Sequence, residues 1–507
     1  MLRFVTYDFR IYHKLVSLKR YDSCKNAEQL AQAVYDVVNN RYSIRSNQVV
    51  CFQRDRAAAN EKMFKIYKAV YLYSHDVHCV PHTITHVGER IKCMEKLVDR
   101  VISLLQSMLN QNGGANKARF RWMTVFGVKW NNPGNTRWWA KFELILFLQK
   151  NWTKLIKFID DINDDDDVEE IVQYDANNNT RENTKIKGKR IEELREITSH
   201  IFSKNHLKFE IDVISIVAKS MIDATYILEG NGPTALVTYD IIVDLFNHLK
   251  LFSEFEDYEN APRQLHNAIK SCRKSIRSEI PTDEKAKFPK KEIQDSLVAR
   301  AKVMLQKPFQ YFKKTIYDGD EVLESKLAND MRLYRICRYF DPISFRGLMN
   351  ETNYQEFEQL FEEIWHMRDE TSNIKKSSIF TKEEMSQVKD EWSKYRFAVR
   401  TINATDNDYN SKYRMSVAMQ FWRNSTSHNI PTIAKFARYC FCIVASSAAA
   451  ERVFSTLKNG LSLVQLNKCI EDYSEIAIML QYNRAEACSD VTWENTPNVI
   501  NVDMEDN

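Results

Sequence analysis

Residues 445 to 455 read Ala445-Ser446-Ser447-Ala448-Ala449-Ala450-Glu451-Arg452-Val453-Phe454-Ser455. The run opens entirely on Ala and Ser, with no bulk to keep a helix away from its neighbour. Glu451 is the one carboxylate in this small or apolar run. The plain reading is a partly buried Glu paired with Arg452 or another base. The functional reading is a metal-binding carboxylate at the edge of a sheet. Which of the two holds depends on what the rest of the chain builds around it.

Upstream, the texture is helical from Thr136 to about Tyr439, broken by polar loops. The loops are read at Asp160–Glu170, Thr180–Lys189 and Ser278–Pro289. The chain has only 11 Gly and 10 Pro in 507 residues, so long helices are expected throughout this stretch. The first 110 residues differ. Leu2–Tyr7 and Ile11–Leu18 are rich in β-branched and aromatic residues and read as a hairpin turning near Asp8–Arg10. Ala27–Val38 has helical spacing, with Leu30, Ala33, Val34 and Val37 on one face. Gln48–Phe52 reads as a buried strand that runs into Arg54-Asp55-Arg56, and a helix follows over Ala57–Val70. A His-rich turn is read over His75–His86, then an amphipathic helix over Cys93–Leu109. The order is therefore an α/β opening, a long helical insertion and a final helical stretch.

Composition narrows the class. The hydrophobic share of 44% and charged share of 28% are those of an ordinary globular protein, and the length implies two or three domains. A net charge of +4 does not by itself indicate nucleic acid. Ten cysteines without paired spacing read as free thiols in a reducing compartment. No apolar run reaches the roughly 18 residues of a membrane span, so no membrane partner is expected.

The segment 446–455 closely resembles the C-terminal signature of the hAT-family DNA transposases. Its surroundings agree. Phe421-Trp422 followed by Pro431, Ile433, Ala434 and Ala437 is similar to the family's Trp-containing approach. Asn459–Asn483 resembles its dimerisation helices, with Ile470, Tyr473, Ile476, Met479 and Leu480 at helical spacing. Asp55, followed by Ala59-Asn60, resembles the second catalytic Asp. Cys79-Val80-Pro81-His82 resembles the Cys-x-x-His motif, and Arg137-Trp138 the Arg-Trp motif of the insertion.

The resemblance implies an RNase H-like α/β domain interrupted by a large helical insertion. The expected domains are 1–110 (a partial RNase H-like domain without its first strand), 111–430 (the insertion), 431–487 (the final helix and dimerisation region) and a disordered tail at 488–507. It implies Asp55 and Glu451 as catalytic and metal-binding remnants, and Arg137, Trp138, Cys79 and His82 as DNA-facing. Val453, Phe454, Ile470, Tyr473, Ile476, Met479 and Leu480 are the implied dimer contacts. Trp138 has a bland alternative as core filling. So does the cluster His75, His78, Cys79, His82 and His86, as a polar loop, with zinc a further option for that cluster.

The family chemistry uses two Asp and one Glu to hold two Mg²⁺ or Mn²⁺ ions that clamp the attacking and leaving oxygens of a phosphodiester. The first acid is the ligand shared by both metals. It belongs to a strand ahead of the hairpin, and only Asp8, in the hairpin turn, stands early in this chain. The family's zinc finger has no counterpart, and Leu463-Val464-Gln465-Leu466 stands where an Asp-x-Arg-like element is usual. The expectation is a nuclear, transposase-derived protein that dimerises with itself, has DNA as a further partner, needs no cofactor and does not cleave. The alternatives are an active transposase whose N-terminus lies outside this chain, with Mg²⁺ or Mn²⁺ as cofactor, and a decayed element.

Overall fold

A computed structural model describes residues 1–17, 26–55, 58–71, 74–93, 95–109, 117–130, 138–162, 180–319, 325–348, 354–355, 357–359, 381–402, 411–452 and 479. In chain order the elements are β1 (Leu2–Val5), β2 (Ile11–Lys14), α1 (Ala27–Tyr35), β3 (Cys51–Arg54), α2 (Ala58–Val70), β4 (His75–His78), α3 (Val80–Gly88), α4 (Leu97–Leu109), α5 (Lys117–Phe126), α6 (Trp138–Lys150), α7 (Trp152–Asp161), α8 (Thr180–Ser199), α9 (Ile201–Leu228), α10 (Ala235–Ser253), α11 (Arg263–Glu279), α12 (Lys290–Thr315), α13 (Ala328–Cys337), α14 (Pro342–Leu348), α15 (Lys382–Arg400), α16 (Ser411–Arg423) and α17 (Pro431–Cys442). The fold is mostly helical with few strands. The chain forms two compact units. One comprises Met1–Val80, Ile227–Asp240 and Asn329–Asn507. The other comprises Pro81–Tyr226 and Ile241–Ala328.

The first unit holds all the described strands. β1 and β2 form an antiparallel hairpin that pairs Leu2 with Lys14 and Phe4 with Tyr12. β3 and β4 are parallel, with Cys51 opposite His75 and Arg54 opposite His78. Parallel strands need a crossover, and α2 supplies it. Phe52 stacks on Tyr67 of α2 at 4.7 Å, and Tyr67 and Tyr71 are buried with Ala31, Val38 and Phe64. α1 begins with a capping box in which the Asn26 and Gln29 side chains satisfy each other's backbone N–H.

The hairpin and the parallel pair are separate sheets. The chain leaving α17 runs between them. The Arg3 guanidinium donates to the Phe441 carbonyl at the end of α17, at 2.8 and 3.0 Å. The Cys51 thiol reaches the Cys442 carbonyl at 3.8 Å and the backbone of Val444. Val80 N–H donates to the Ala445 carbonyl at 2.9 Å. Ile443 and Ala445 are fully buried along this path. Behind it, Phe9, Phe340, Tyr395 and Trp422 form an aromatic core, and Trp422 Nε1 donates to the Phe340 carbonyl at 2.7 Å.

The second unit is helical. Trp122 and Phe126 of α5 pack with Phe147 of α6 and Phe158 of α7. α9 is buried along much of its length, from Leu207 and Phe209 to Met221. α12 carries Pro308 inside the helix, buried with Met304, Leu305 and Phe309.

Two sequence expectations are corrected. His75–His78 is a strand, not part of a turn, because its backbone pairs with β3 despite three polar side chains. Val80–Gly88 then follows as a helix. Thr180–Lys189 is helical, the first half of α8. Its Lys, Arg and Glu residues are polar but are competent helix formers, so polarity alone misassigns it.

Candidate functional site

The site lies at the C-terminal end of the parallel strand pair. Arg54, the last residue of β3, is buried and pairs bidentately with Asp76 of β4 at 2.6 and 2.7 Å. This fixes the two strand ends side by side. Asp55 follows, half-buried, and accepts a hydrogen bond from Asn60 Nδ2 at 2.6 Å. Asn60 lies in the first turn of α2, so the strand-to-helix turn itself orients the carboxylate. On β4, the Asp330 carboxylate of α13 accepts from His78 N–H at 2.8 Å and lies 3.1 Å from His78 Nδ1. Burial pushes the Asp330 carboxyl up, against the pull of His78.

Cys79, the residue after β4, is buried and bonds the Arg54 carbonyl through its N–H at 2.8 Å. Its sulfur meets Ser447, whose N–H donates at 3.4 Å and whose Oγ lies at 3.2 Å. The Ser447 hydroxyl donates to Glu451 Oε1 at 2.9 Å. Ser447 and Glu451 are four residues apart and share one helix face, and Glu451 N–H also bonds the Ser447 carbonyl. A short chain of contacts thus joins Glu451 to the end of β3, where Asp55 stands. Glu451 is exposed. Arg452 does not pair with it and instead donates to the Glu229 carbonyl at 3.1 Å and to the Asn231 side chain.

The turn at 229–232 is held from its other side by Arg3, which donates to the Gly232 carbonyl at 2.9 Å. Burial lowers the Arg3 guanidinium to about 10. His13 is pushed down to about 3 by burial and by Arg3 and Arg452, so its imidazole is neutral.

Asp8 is elsewhere. It sits in the hairpin turn, accepting from Thr6 Oγ1 and pairing with Arg10 at 2.9 Å. Arg438 covers the neighbouring Tyr7 ring at 4.6 Å. Along the chain from Arg438 to Glu451, contacts pass from Tyr7 to Arg3, then Cys51, Val80 and Cys79. Asp8 therefore belongs to the start of that path and Glu451 to its end.

The structure thus links Glu451, through Ser447 and Cys79, to the carbonyl of Arg54, the residue before Asp55. His82 lies in α3, edge-on to His86 at 4.7 Å. Trp138 opens α6, and its side chain lies outside the described residues, as does Arg137. Val453, Phe454, Ile470, Tyr473, Ile476 and Leu480 also lie outside them, and Met479 is in helical conformation. Ser447 and Asn60 are missed by sequence reasoning as functional side chains. The signal for Ser447 was its four-residue spacing from Glu451. A pair of hard divalent cations needs more carboxylate oxygen than Asp55 and Glu451 offer. Among the described residues no group of three or more His, Cys, Asp or Glu side chains could hold a metal ion.

Residues 407–483 match the hAT family C-terminal dimerisation region. This match supports a relationship to the hAT-family transposases. No curated protein is similar enough to the chain to count as a relative. The described part of the matched segment comprises α16, α17, the connection through Ala445, the turn at Ser447 and the helical residues up to Arg452.

Proposed function

From the premise that this chain carries a hAT-family dimerisation region, we propose that it is a transposase-derived nuclear protein that dimerises, binds DNA and does not cleave it alone. The order of elements supports an RNase H-like reading of the first unit: hairpin, helix, parallel βαβ pair, helical excursion and return. The observation that carries the proposal is the linkage from Asp55 through Cys79 and Ser447 to Glu451, set against the commitment of Asp8 to the hairpin turn. In this reading Asp55 and Glu451 are what is left of the family's three acids, and the early Asp of this chain has another task. With the early Asp engaged elsewhere, this edge lacks the ligands for two-metal hydrolysis.

A second reading has its own support. Glu451 is exposed beside Ser447 and Cys79, and among the described residues the two sheets are not paired with each other. An active hAT-type transposase would meet the same description if a further strand supplied the first acid, with Mg²⁺ or Mn²⁺ as cofactor.

One experiment separates the two. The purified chain is incubated with Mg²⁺ or Mn²⁺ and a labelled duplex carrying transposon ends, and nicking and retention are followed together. Binding without nicking is expected. Metal-dependent nicking lost in both Asp55→Ala and Glu451→Ala would overturn the non-cleaving reading. Self-association is checked on the same sample by light scattering. Ile476→Asp should lower the mass by placing an unpaired charge in an apolar seam, whereas an unchanged mass removes Ile476 from that seam.

A further inference from the structure

In the second unit, α11 is one-sided in charge as well as in apolarity. Leu265, Ile269, Cys272 and Ile276 form its buried side. Asn267, Lys270 and Lys274 are exposed, and at 3.6 residues per turn they fall within about 60° of one another, opposite that buried side. Arg273 and Arg277 flank them, half-buried, and bond neutral oxygens: Arg273 the Gln294 side chain, Arg277 the Phe288 carbonyl at 2.9 Å. These bonds draw the start of α12 alongside the end of α11. Lys290, one turn before Gln294, is exposed there. Among the described residues Lys270, Lys274 and Lys290 make no hydrogen bond or ion pair. Glu279, the one acid of α11, pairs with Lys204 at 2.9 Å. Glu256, Asp257 and Glu259 precede the other end of the helix, where its dipole favours them, so the positive surface begins at Lys270. Helix stability accounts for Arg277, the base in the last turn, but not for Lys270 or Lys274 in mid-helix. Lys290 stands in the first turn of α12, where a cation is disfavoured.

We infer that this face, Lys270 and Lys274 of α11 with Lys290 of α12, binds the phosphate backbone of duplex DNA. The inference rests on the DNA-binding part of the proposed function and gives it a surface in the second unit. Uncompensated lysines on an acid-free face complement a row of phosphates, and neutral donors such as Asn267 and Ser271 beside them serve phosphate oxygens. Lys270 and Lys274 stand about 6 Å apart along the helix axis, close enough to serve neighbouring phosphates of one strand. The face also lacks what other partners need. No exposed large apolar side chain lies between Leu251 and Val303 among the described residues. Unstacked bases of a single strand would find no ring to rest on, and a protein or membrane surface would find no apolar anchor.

The test uses the full chain and fluorescein-labelled duplexes of about 20 base pairs in anisotropy titrations between about 50 and 200 mM salt. Two duplexes of unrelated sequence should bind alike, because phosphates carry no sequence. The double variant Lys270→Gln, Lys274→Gln should lose about tenfold in affinity and flatten the log–log salt slope by about two. Both lysines are exposed and unbonded, so its melting temperature should equal the parent's, which separates binding from folding. Lys313→Gln, Lys314→Gln makes the same charge change at exposed lysines elsewhere in the second unit and should bind as the parent does. If the duplex binds but the Lys270, Lys274 variant keeps the parent's affinity and slope, or the Lys313, Lys314 variant loses as much, the face is wrong while the DNA-binding reading stands. If the parent binds no duplex, the DNA-binding reading fails and takes the face with it. If labelled polyglutamate binds in place of the duplex and the Lys270, Lys274 variant loses it, the face takes an acidic protein and the inference is overturned.

Discussion

Asp341 and Glu210 are both carboxylates with no exposed surface, and both face an arginine, yet their surroundings are opposite. Asp341, in the first unit, opens α14. Its Oδ1 accepts from Ile343 N–H at 3.1 Å, and its Oδ2 from Arg414 Nε at 2.8 Å and Ser344 Oγ at 3.1 Å. Arg414 also reaches Asp240, which pairs with Arg338 at 2.7 Å. Glu210, in the second unit, has only the Cys93 thiol and the Val98 backbone as donors, neither well directed, and Arg300 Nη1 stands off at 3.8 Å. Cys93 and Glu95 are the other ionisable groups that bear on it. Burial together with Arg300 pushes the nearby His206 down to about 4. The same residue classes give a closed network in one unit and an open one in the other. A buried charge is tolerated by the number and direction of its bonds, and an arginine nearby is not sufficient.

The largest effect is expected where the network is closed. Arg414→Met leaves Asp341 and Asp240 in a buried site without their shared cation. Burial lowers the Arg414 guanidinium, but Asp341 and Asp240 outweigh it and the net shift is upward. The loss should be roughly 3–5 kcal/mol, the usual cost of stripping one partner from a buried pair. Urea titration of the purified variant measures it. A loss under about 1 kcal/mol would mean that the network is no better satisfied than Glu210, and the contrast would collapse. Arg414 lies within the region that matches the dimerisation family. Part of that region is therefore expected to serve the core of its own chain.

The open network predicts a pH dependence instead. Burial raises the Glu210 carboxyl from 4.5 to about 7, with Cys93 and Arg300 pulling the other way. A raised folded-state value means that this group's contribution is fully present below pH 4.5 and is lost as the pH rises through 7. The penalty above that range is roughly 3–4 kcal/mol, from about 2.5 pH units at about 1.4 kcal/mol each. Glu210→Gln holds the neutral form at every pH. Its melting temperature should match the parent near pH 4.5 and exceed it at about pH 8. Parallel melting curves for the two proteins across that range would show that Arg300 does satisfy Glu210 in solution.

These networks also mark what was legible in the sequence. The hairpin, α1, β3 and α2 could be read because runs of aromatic and β-branched residues alternate with helical spacing. Asp55 could be placed at a strand end for the same reason. β4 could not, since His75-Asp76-Val77-His78 has the composition of a loop and becomes a strand only through pairing with β3. The clamp of Ser447 on Cys79, the Arg3 hub and the Arg414 network join residues separated by 70 to more than 430 positions. No local periodicity carries such information. Glu451 was visible as an isolated carboxylate, but its expected partner Arg452 turned to another turn of the chain because Ser447, one helical turn earlier, was the better-placed donor.

A third buried acid lies between the two extremes and gives the smallest effect. Glu391 of α15 meets no cation at its carboxylate in the hydrogen bonds it makes to α17. Its oxygens accept from Thr432 N–H at 3.0 and 3.1 Å and from Ile433 N–H at 2.9 Å. Pro431 begins that helix and has no N–H to satisfy, so the carboxylate takes the next two donors. The helix dipole supplies the positive end that an arginine supplies to Asp341. Glu391→Gln keeps the shape and one acceptor oxygen but removes the charge. It should cost about 1–2 kcal/mol, less than Arg414→Met, because no buried ion is left unpaired. Urea titration under the conditions used for Arg414→Met checks the ranking. A cost as large as that of Arg414→Met would mean that backbone donors hold a buried carboxylate as firmly as a guanidinium does, and that Glu210 is costly because it lacks a well-directed donor of any kind rather than because its arginine is misaligned.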